Sequence, residues 1–135
     1  MDREVHALSR SNRSARKAGS SFERLVADYL AEALGSEGID RQVKVGTNDL
    51  GDVRGVYLGG RPVVVECKEY GGRNELPKWY AEAERERANR DAAYGVVVWK
   101  RYRVADPARQ HVSMTLATFA AMLAGGPENV IEGGD

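Results

Sequence analysis

Asp52, Glu66 and Lys68 are the residues whose types and spacing could do chemistry together. Two carboxylates and an ammonium on one face of a strand can hold a hard divalent cation, orient a water and balance the charge that builds up on an attacked phosphate. Glu66 and Lys68 close an apolar run, Pro62-Val63-Val64-Val65-Glu66-Cys67-Lys68. An ionised group inside such a run is costly unless it is paired or binds a metal. The run is therefore either an edge strand with an exposed cross-strand ion pair or an active site, and the neighbouring residues favour the second.

Register decides whether the three groups meet. Strand residues two apart point the same way, so Glu66 and Lys68 share a face while Val63, Val65 and Cys67 take the other. Residues 52–58 are also strand-like, and Gly59-Gly60-Arg61 supplies a turn that joins the two segments as an antiparallel hairpin. A three-residue loop sets Leu58 against Pro62, Arg54 against Glu66 and Asp52 against Lys68, so Asp52, Glu66 and Lys68 converge. A two-residue Gly59-Gly60 turn sends Asp52 to the opposite face unless a bulge restores the register.

Asp52 followed, after a hairpin, by Glu66-Cys67-Lys68 resembles the PD-(D/E)XK nuclease signature. Gly19-Ser20-Ser21-Phe22-Glu23-Arg24-Leu25-Val26 resembles the first helix of the archaeal-type Holliday junction resolvases, in which a helix-borne glutamate joins the site. The resemblance spans residues 17 to 120 and departs from the pattern at Gly51, where a proline often precedes the aspartate. That change makes Asp49 a competitor for the ligand role.

The resemblance implies a restriction-endonuclease-like α/β fold, a central mixed sheet flanked by helices. It implies catalytic roles for Glu23, Asp52, Glu66 and Lys68, and Mg²⁺, with Mn²⁺ able to substitute, on Asp52, Glu66 and the backbone carbonyl of Cys67. It further implies a homodimer that nicks branched DNA, in particular four-way junctions, inside a prokaryotic or phage-infected cell. A non-junction nuclease of the same fold, or a DNA-binding protein that keeps the fold without turnover, remains an alternative.

The residues explain why such a set would cut a phosphodiester. Mg²⁺ is typically bound through one or two carboxylates plus substrate phosphate, keeping several waters. Lys68 would orient the attacking water or help deprotonate it, and Glu23 would contact a metal-bound water or a second ion. Glu23 also has a purely structural reading, because Ser20-Ser21-Phe22-Glu23 is a capping box in which the glutamate returns to the N-cap amide. Cys67 reads as a small core residue, its side chain facing away from the site. His6 and His111 have no second histidine or cysteine at ligand spacing.

A chain of 135 residues with 42% apolar content has room for one domain with a modest core. No apolar run approaches a membrane span, there is no secretory pattern, and a single cysteine excludes an internal disulfide, which together suit a reducing cytoplasm. Net charge is zero, but residues 1 to 19 hold Arg3, Arg10, Arg13, Arg16 and Lys17 against Asp2 and Glu4, a balance of +3. Clusters rather than the whole-chain sum decide phosphate affinity.

The elements that must position the site follow in the order α-β-β-β-α-β. Residues 1–18 read as a flexible basic arm that orders on DNA or simply frays, residues 19–124 as the nuclease domain, and residues 125–135 as a disordered acidic tail. Phe22, Leu25, Val26, Tyr29, Leu30, Ala33 and Leu34 make a helical stripe stopped by Gly35. Residues 39–45 read as the first strand. The glycines of Tyr70-Gly71-Gly72-Arg73-Asn74 would let a phosphate backbone approach, with Arg73 beside them. A helix over residues 76–91 buries Trp79, Tyr80, Ala83 and Ala88 and leaves Glu82, Glu84, Arg85, Glu86, Arg87 and Arg90 as a solvated surface. Residues 94–100 form a buried strand ending in Lys100-Arg101-Tyr102-Arg103, whose cations and nearby aromatics suit phosphates or unpaired bases. Residues 111–116 add a last strand and residues 115–123 a short helix.

Overall fold

The computed structural model describes residues 11–43 and 49–132. Its first helix, α1 (Asn12–Leu34), begins at Ser11, whose hydroxyl accepts the Ser14 N–H at 3.1 Å, and ends at Gly35 with φ +59°. The expected flexible arm is thus helical from Asn12 onward. The stretch before Gly19 contains no glycine or proline and is rich in Ala, Arg and Lys, which favour helix once a serine cap satisfies the first turn. Ser20 and Glu23 consequently lie inside the helix, and the capping-box reading falls. Arg10 and the rest of residues 1–10 lie outside the described residues, as do Lys44 and Val45 of the expected first strand.

Among the described residues six strands follow: β1 (Asp40–Arg41), β2 (Val53–Arg54), β3 (Tyr57–Leu58), β4 (Arg61–Lys68), β5 (Tyr94–Trp99) and β6 (His111–Ser113). They form one mixed sheet in the order β1-β2-β4-β5-β6, with β3 paired to β4. Among the described strands only β4 and β5 run parallel, joined by the crossover helix α2 (Leu76–Arg90), and α3 (Leu116–Leu123) follows β6. The fold is α/β with a mixed six-stranded sheet flanked by helices. One face packs Val53, Val63, Val65, Val96 and Val98 against Phe22, Val26 and Ala27 of α1, while the other packs Val97 against Trp79 and Ala83 of α2. The alternation along β4 and β5 thus feeds both cores, as expected for a parallel pair covered on each side.

The C-terminal segment is not the expected disordered tail as far as Glu132. A short 3₁₀ turn (Pro127–Asn129) is tied to β4 by a two-pronged ion pair, Arg61 Nη1 to Glu128 Oε1 at 2.7 Å and Nη2 to Oε2 at 2.5 Å. Asn129 also donates to the Ala124 carbonyl at 3.1 Å, satisfying an end group of α3.

Of the two routes to convergence that the sequence leaves open, a three-residue loop or a two-residue turn with a bulge, the hairpin takes the second. Gly59-Gly60 is a two-residue turn, since Leu58 faces Arg61 and Tyr57 faces Pro62. Further in, Val53 faces Val65, while the Val63 N–H reaches the Val56 carbonyl at 2.9 Å. Three residue steps on one strand match two on the other, so a bulge at Gly55 absorbs the extra residue. Gly55 has φ +84°, and a side-chain carbon there would lie 2.2 Å from the Gly38 carbonyl oxygen. Gly55→Ala should therefore cost more than the usual ~1 kcal/mol of a strained glycine replacement, read as a lowered urea midpoint with unchanged slope; an unaltered midpoint would show that the bulge is not held this way.

Candidate active site

The bulge returns Asp52 to the face of Glu66 and Lys68. Its backbone N–H donates to the Val65 carbonyl at 2.9 Å, and its Oδ2 accepts the Cys67 N–H at 2.7 Å. Main chain and side chain of one residue are both anchored to β4. Gly51 explains the departure from the motif's proline: it has φ +95°, far from the −65° that proline requires, and is pressed between Val64 and Val65.

Four more groups complete the cluster, and sequence reasoning placed only some of them. Glu23 reaches in from α1, bound to Arg41 of β1 at 3.0 Å, and comes within hydrogen-bonding reach of Asp52. From α2 on the other face come Glu82, ion-paired with Lys68, and Glu86, whose carboxyl lies beside that of Glu66. Asp49 lies against Glu86. Glu86 was expected on a solvated surface, yet it is 1% exposed and its Oε2 has no hydrogen-bond partner among the described residues. Ala88, expected in the core, is exposed instead. The mixed Glu and Arg sequence of α2 concealed this inward turn, which becomes legible only once β4 is known to face α2 with carboxylates. Tyr80 is half-buried, and Trp79 and Ala83 are buried as expected.

Packing acids together out of water has a clear electrostatic result. Burial first, then contact with Glu66, pushes the Asp52 carboxyl up to about 8. Burial likewise raises Glu66 to about 7 and Glu86 to about 8. Burial and the charge of Asp52 raise Glu23 against the opposing pull of Arg41. For Lys68, burial alone would lower the ammonium, but Glu82 and Glu66, the latter at 3.4 Å, overcome it and hold the pKa above its ordinary value. Burial and the adjacent carboxylates raise the Cys67 thiol, so it is a protonated core side chain rather than a nucleophile.

Among the described residues, no three His, Cys, Asp or Glu side chains are arranged to hold a metal ion by themselves. The chemistry of the site nevertheless fits a divalent cation. Asp52 and Glu66 are two hard oxygen donors whose charged forms repel each other, and Glu86 presents an unsatisfied buried oxygen beside them. One or two carboxylates suffice for Mg²⁺ when water and phosphate complete the shell.

A groove of about 710 Å³ opens onto Asp52, with Glu23 and Ser20 in its wall and Arg16, Arg24 and Arg41 along it. Arg13, Arg16 and Lys17 are exposed on the N-terminal turns of α1, at spacing that puts them on one face. Arg41 was not singled out from the sequence; its signal was a cation within the first strand. Beside Lys68, at the same C-terminal end of β4, Lys100 does not project to solvent: its ammonium donates to the Arg101 and Val104 carbonyls. Arg101 donates to the Arg109 carbonyl, whereas Arg73 and Arg103 lie over the rings of Tyr70 and Tyr102.

Comparison with protein-family models, with curated proteins and with solved structures finds no match to this chain. No helix among the described residues is long and apolar enough to cross a membrane.

The raised carboxyl pKa values fix a pH dependence. The folded chain keeps protons that the unfolded chain releases above the ordinary carboxylate range, so stability falls as pH rises between about 4 and 8. Melting temperature of the metal-free protein should drop across that interval, Asp52→Asn should flatten the slope, and Mg²⁺ should raise the melting temperature at about pH 8. A flat profile that Mg²⁺ does not move would mean that these carboxyls do not share a buried site.

Proposed function

We propose that this chain is a metal-dependent DNA endonuclease of the PD-(D/E)XK kind, and specifically a Holliday junction resolvase that acts as a homodimer. The observation that carries the reading is the convergence of Asp52, Glu66 and Lys68 on one face of the sheet, with the Glu23 carboxyl beside them. The resemblance of these residues to the resolvase pattern supplies the junction and the dimer.

Asp52 and Glu66 would hold the cation, Mg²⁺ or Mn²⁺, which when bound supplies an acidified water and a positive charge against the scissile phosphate. The chain's own residues do the rest. The Cys67 N–H fixes the Asp52 carboxyl beside Glu66, so both donors are set before any ligand arrives. Lys68, flanked by two carboxylates, stays an ammonium and acts by orienting water and balancing phosphate charge rather than by taking a proton. The Cys67 carbonyl remains part of this reading as a third donor. The cations of α1 and of the groove suit a phosphate backbone led toward Asp52. For the dimer, Leu116, Phe119 and Leu123 on α3 form an exposed apolar stripe, 79%, 47% and 74% accessible. A two-fold enzyme places two such sites on symmetry-related strands.

Cleavage of labelled four-way junction, duplex and single strand, with Mg²⁺ and with EDTA, tests the reading. Paired symmetric nicks confined to the junction should appear only with Mg²⁺, and Asp52→Asn or Glu66→Gln should reduce them roughly a hundredfold or more while DNA binding persists. Unchanged cutting in either variant removes the site; no cutting by wild type under any condition leaves a binding protein. Separately, replacing Arg13, Arg16 and Lys17 by alanine should weaken duplex binding and flatten its salt dependence by about 0.9 for each phosphate no longer neutralised. An unmoved slope would take α1 out of the DNA interface.

A further inference from the structure

Two exposed tyrosines, each with a guanidinium over its ring, stand on adjoining loops just past the ends of β4 and β5. Arg73 Cζ lies 5.6 Å from the centre of the Tyr70 ring, and Arg103 Cζ lies 5.2 Å from that of Tyr102. Tyr70 is 38% exposed and Tyr102 66% exposed. The first loop leaves β4 directly after Lys68, and the Lys100 N–H donates to the Lys68 carbonyl at 3.0 Å, so the second loop starts beside the same residue.

Neither loop is loosely held. The turn carrying Tyr102 and Arg103 is closed by a Val104 N–H to Arg101 carbonyl bond at 3.3 Å. The Lys100 ammonium clamps it from within through two carbonyls, Arg101 at 2.8 Å and Val104 at 2.5 Å. Gln110 braces it from outside, accepting the Arg101 N–H at 2.7 Å and donating to the Val104 carbonyl at 2.8 Å. Arg103 sits at φ +57°, a conformation that a non-glycine residue adopts only when its surroundings impose it. Gly72 joins the two loops: a side-chain carbon there would lie 2.8 Å from Tyr102 Cβ, so the space expected to admit phosphate is filled by Tyr102. Tyr70 is steadied by its edge contact with Trp79, ring centres 5.4 Å apart. Arg73 is also paired with Glu75 at 3.3 Å, which leaves Arg103 with Tyr102 as the stronger half.

A turn held by this many internal bonds while presenting an aromatic ring and a guanidinium at its tip is preorganised for a planar, anionic ligand. Aromatic faces accept any nucleobase by stacking, and an arginine beside the ring adds a cation for the neighbouring phosphate. In a fully paired duplex the bases are stacked on each other and their faces are closed to such a surface. We propose that Tyr102 and Arg103, with Tyr70 and Arg73, form a stacking platform for unpaired nucleotides next to Lys68, so that the preferred substrate is DNA carrying single-stranded bases at a branch. The proposal rests on the nuclease reading for its biological sense, yet it concerns binding and is testable without turnover.

Fluorescence anisotropy in EDTA, where cleavage does not intervene, would compare four probes: duplex, fully paired four-way junction, the same junction with three unpaired nucleotides at the branch, and single strand. Wild type should favour the unpaired probes over the paired ones. Tyr102→Ala should weaken the unpaired probes by about tenfold and leave the paired ones within about twofold, while Tyr102→Phe keeps the preference. Arg103→Ala should fall between. Tyr102→Ala retains the Cβ packed on Gly72 and removes only exposed atoms, so folding is not at stake. No preference in wild type, no effect of Tyr102→Ala, or an equal loss on duplex would each overturn the platform. Cleavage of the same probes in Mg²⁺ separates the two ideas. Junction cutting with an indifferent Tyr102 sinks the platform alone, and preference for unpaired probes without any cutting sinks the nuclease alone.

Discussion

The attachment of Asp52 to β4 by both its amide and its carboxylate is the constraint on which the candidate site depends. A strand shifted by a single residue turns every side chain to the opposite face. Here the two-residue turn would have done that, and the bulge at Gly55 undoes it. Local geometry at three glycines, Gly59 and Gly60 of the turn and Gly55 of the bulge, thus decides whether three chemically active groups converge or scatter. The same anchoring lets Val53 stay in the core beside Val65 while the residue before it is polar, so the apolar layer under α1 remains continuous up to the edge of the site.

Convergence brings electrostatic tension. Glu23, Asp52, Glu66 and Glu86 come from two helices, from β4 and from the residue that leads into β2, and each has a carboxyl pKa above its ordinary value. A protein selected only for stability would be expected to replace such acids by apolar residues, because buried ion clusters are commonly less stabilising than hydrophobic packing. Arg41 and Lys68 relieve only the flanks, Arg41 at Glu23 and Lys68 at Glu66 and Glu82. The interior of the cluster is left short of positive charge, a condition that suits cation-dependent chemistry.

The two central strands were legible because residues 62–68 and 94–99 are near-continuous apolar runs of the length of a buried strand, and the shared face of Glu66 and Lys68 follows from the two-residue period of any strand. Convergence of Asp52, Glu66 and Lys68 followed from parity, because a bulge and an extra loop residue have the same effect on it, although the sequence does not choose between them. Gly55 carried the missed signal, a lone glycine within a strand pattern. Glu82 and Glu86 were not legible, since a helix alternating Glu and Arg reads equally well as a solvated face until its packing partner is known. The beginning of α1 was hidden for a different reason: a segment rich in Ser, Arg and Lys has the composition of a tail, and only its cap distinguishes it from one. The role of Lys100 was hidden because backbone carbonyls, which the sequence does not display, take its ammonium.

That early start of α1 makes the basic segment a ruler. At 1.5 Å per residue the ten steps from Arg13 to Glu23 span about 15 Å of stiff rod, whereas a disordered arm would have no fixed reach. Along one strand of B-form DNA, with a phosphate roughly every 3.4 Å of axis, that length corresponds to about four nucleotides. On the proposed reading, the distance between where a strand is gripped and where it meets the carboxylates is therefore set by helical pitch, and inserting or deleting residues in α1 would rotate the grip around the helix as well as move it along.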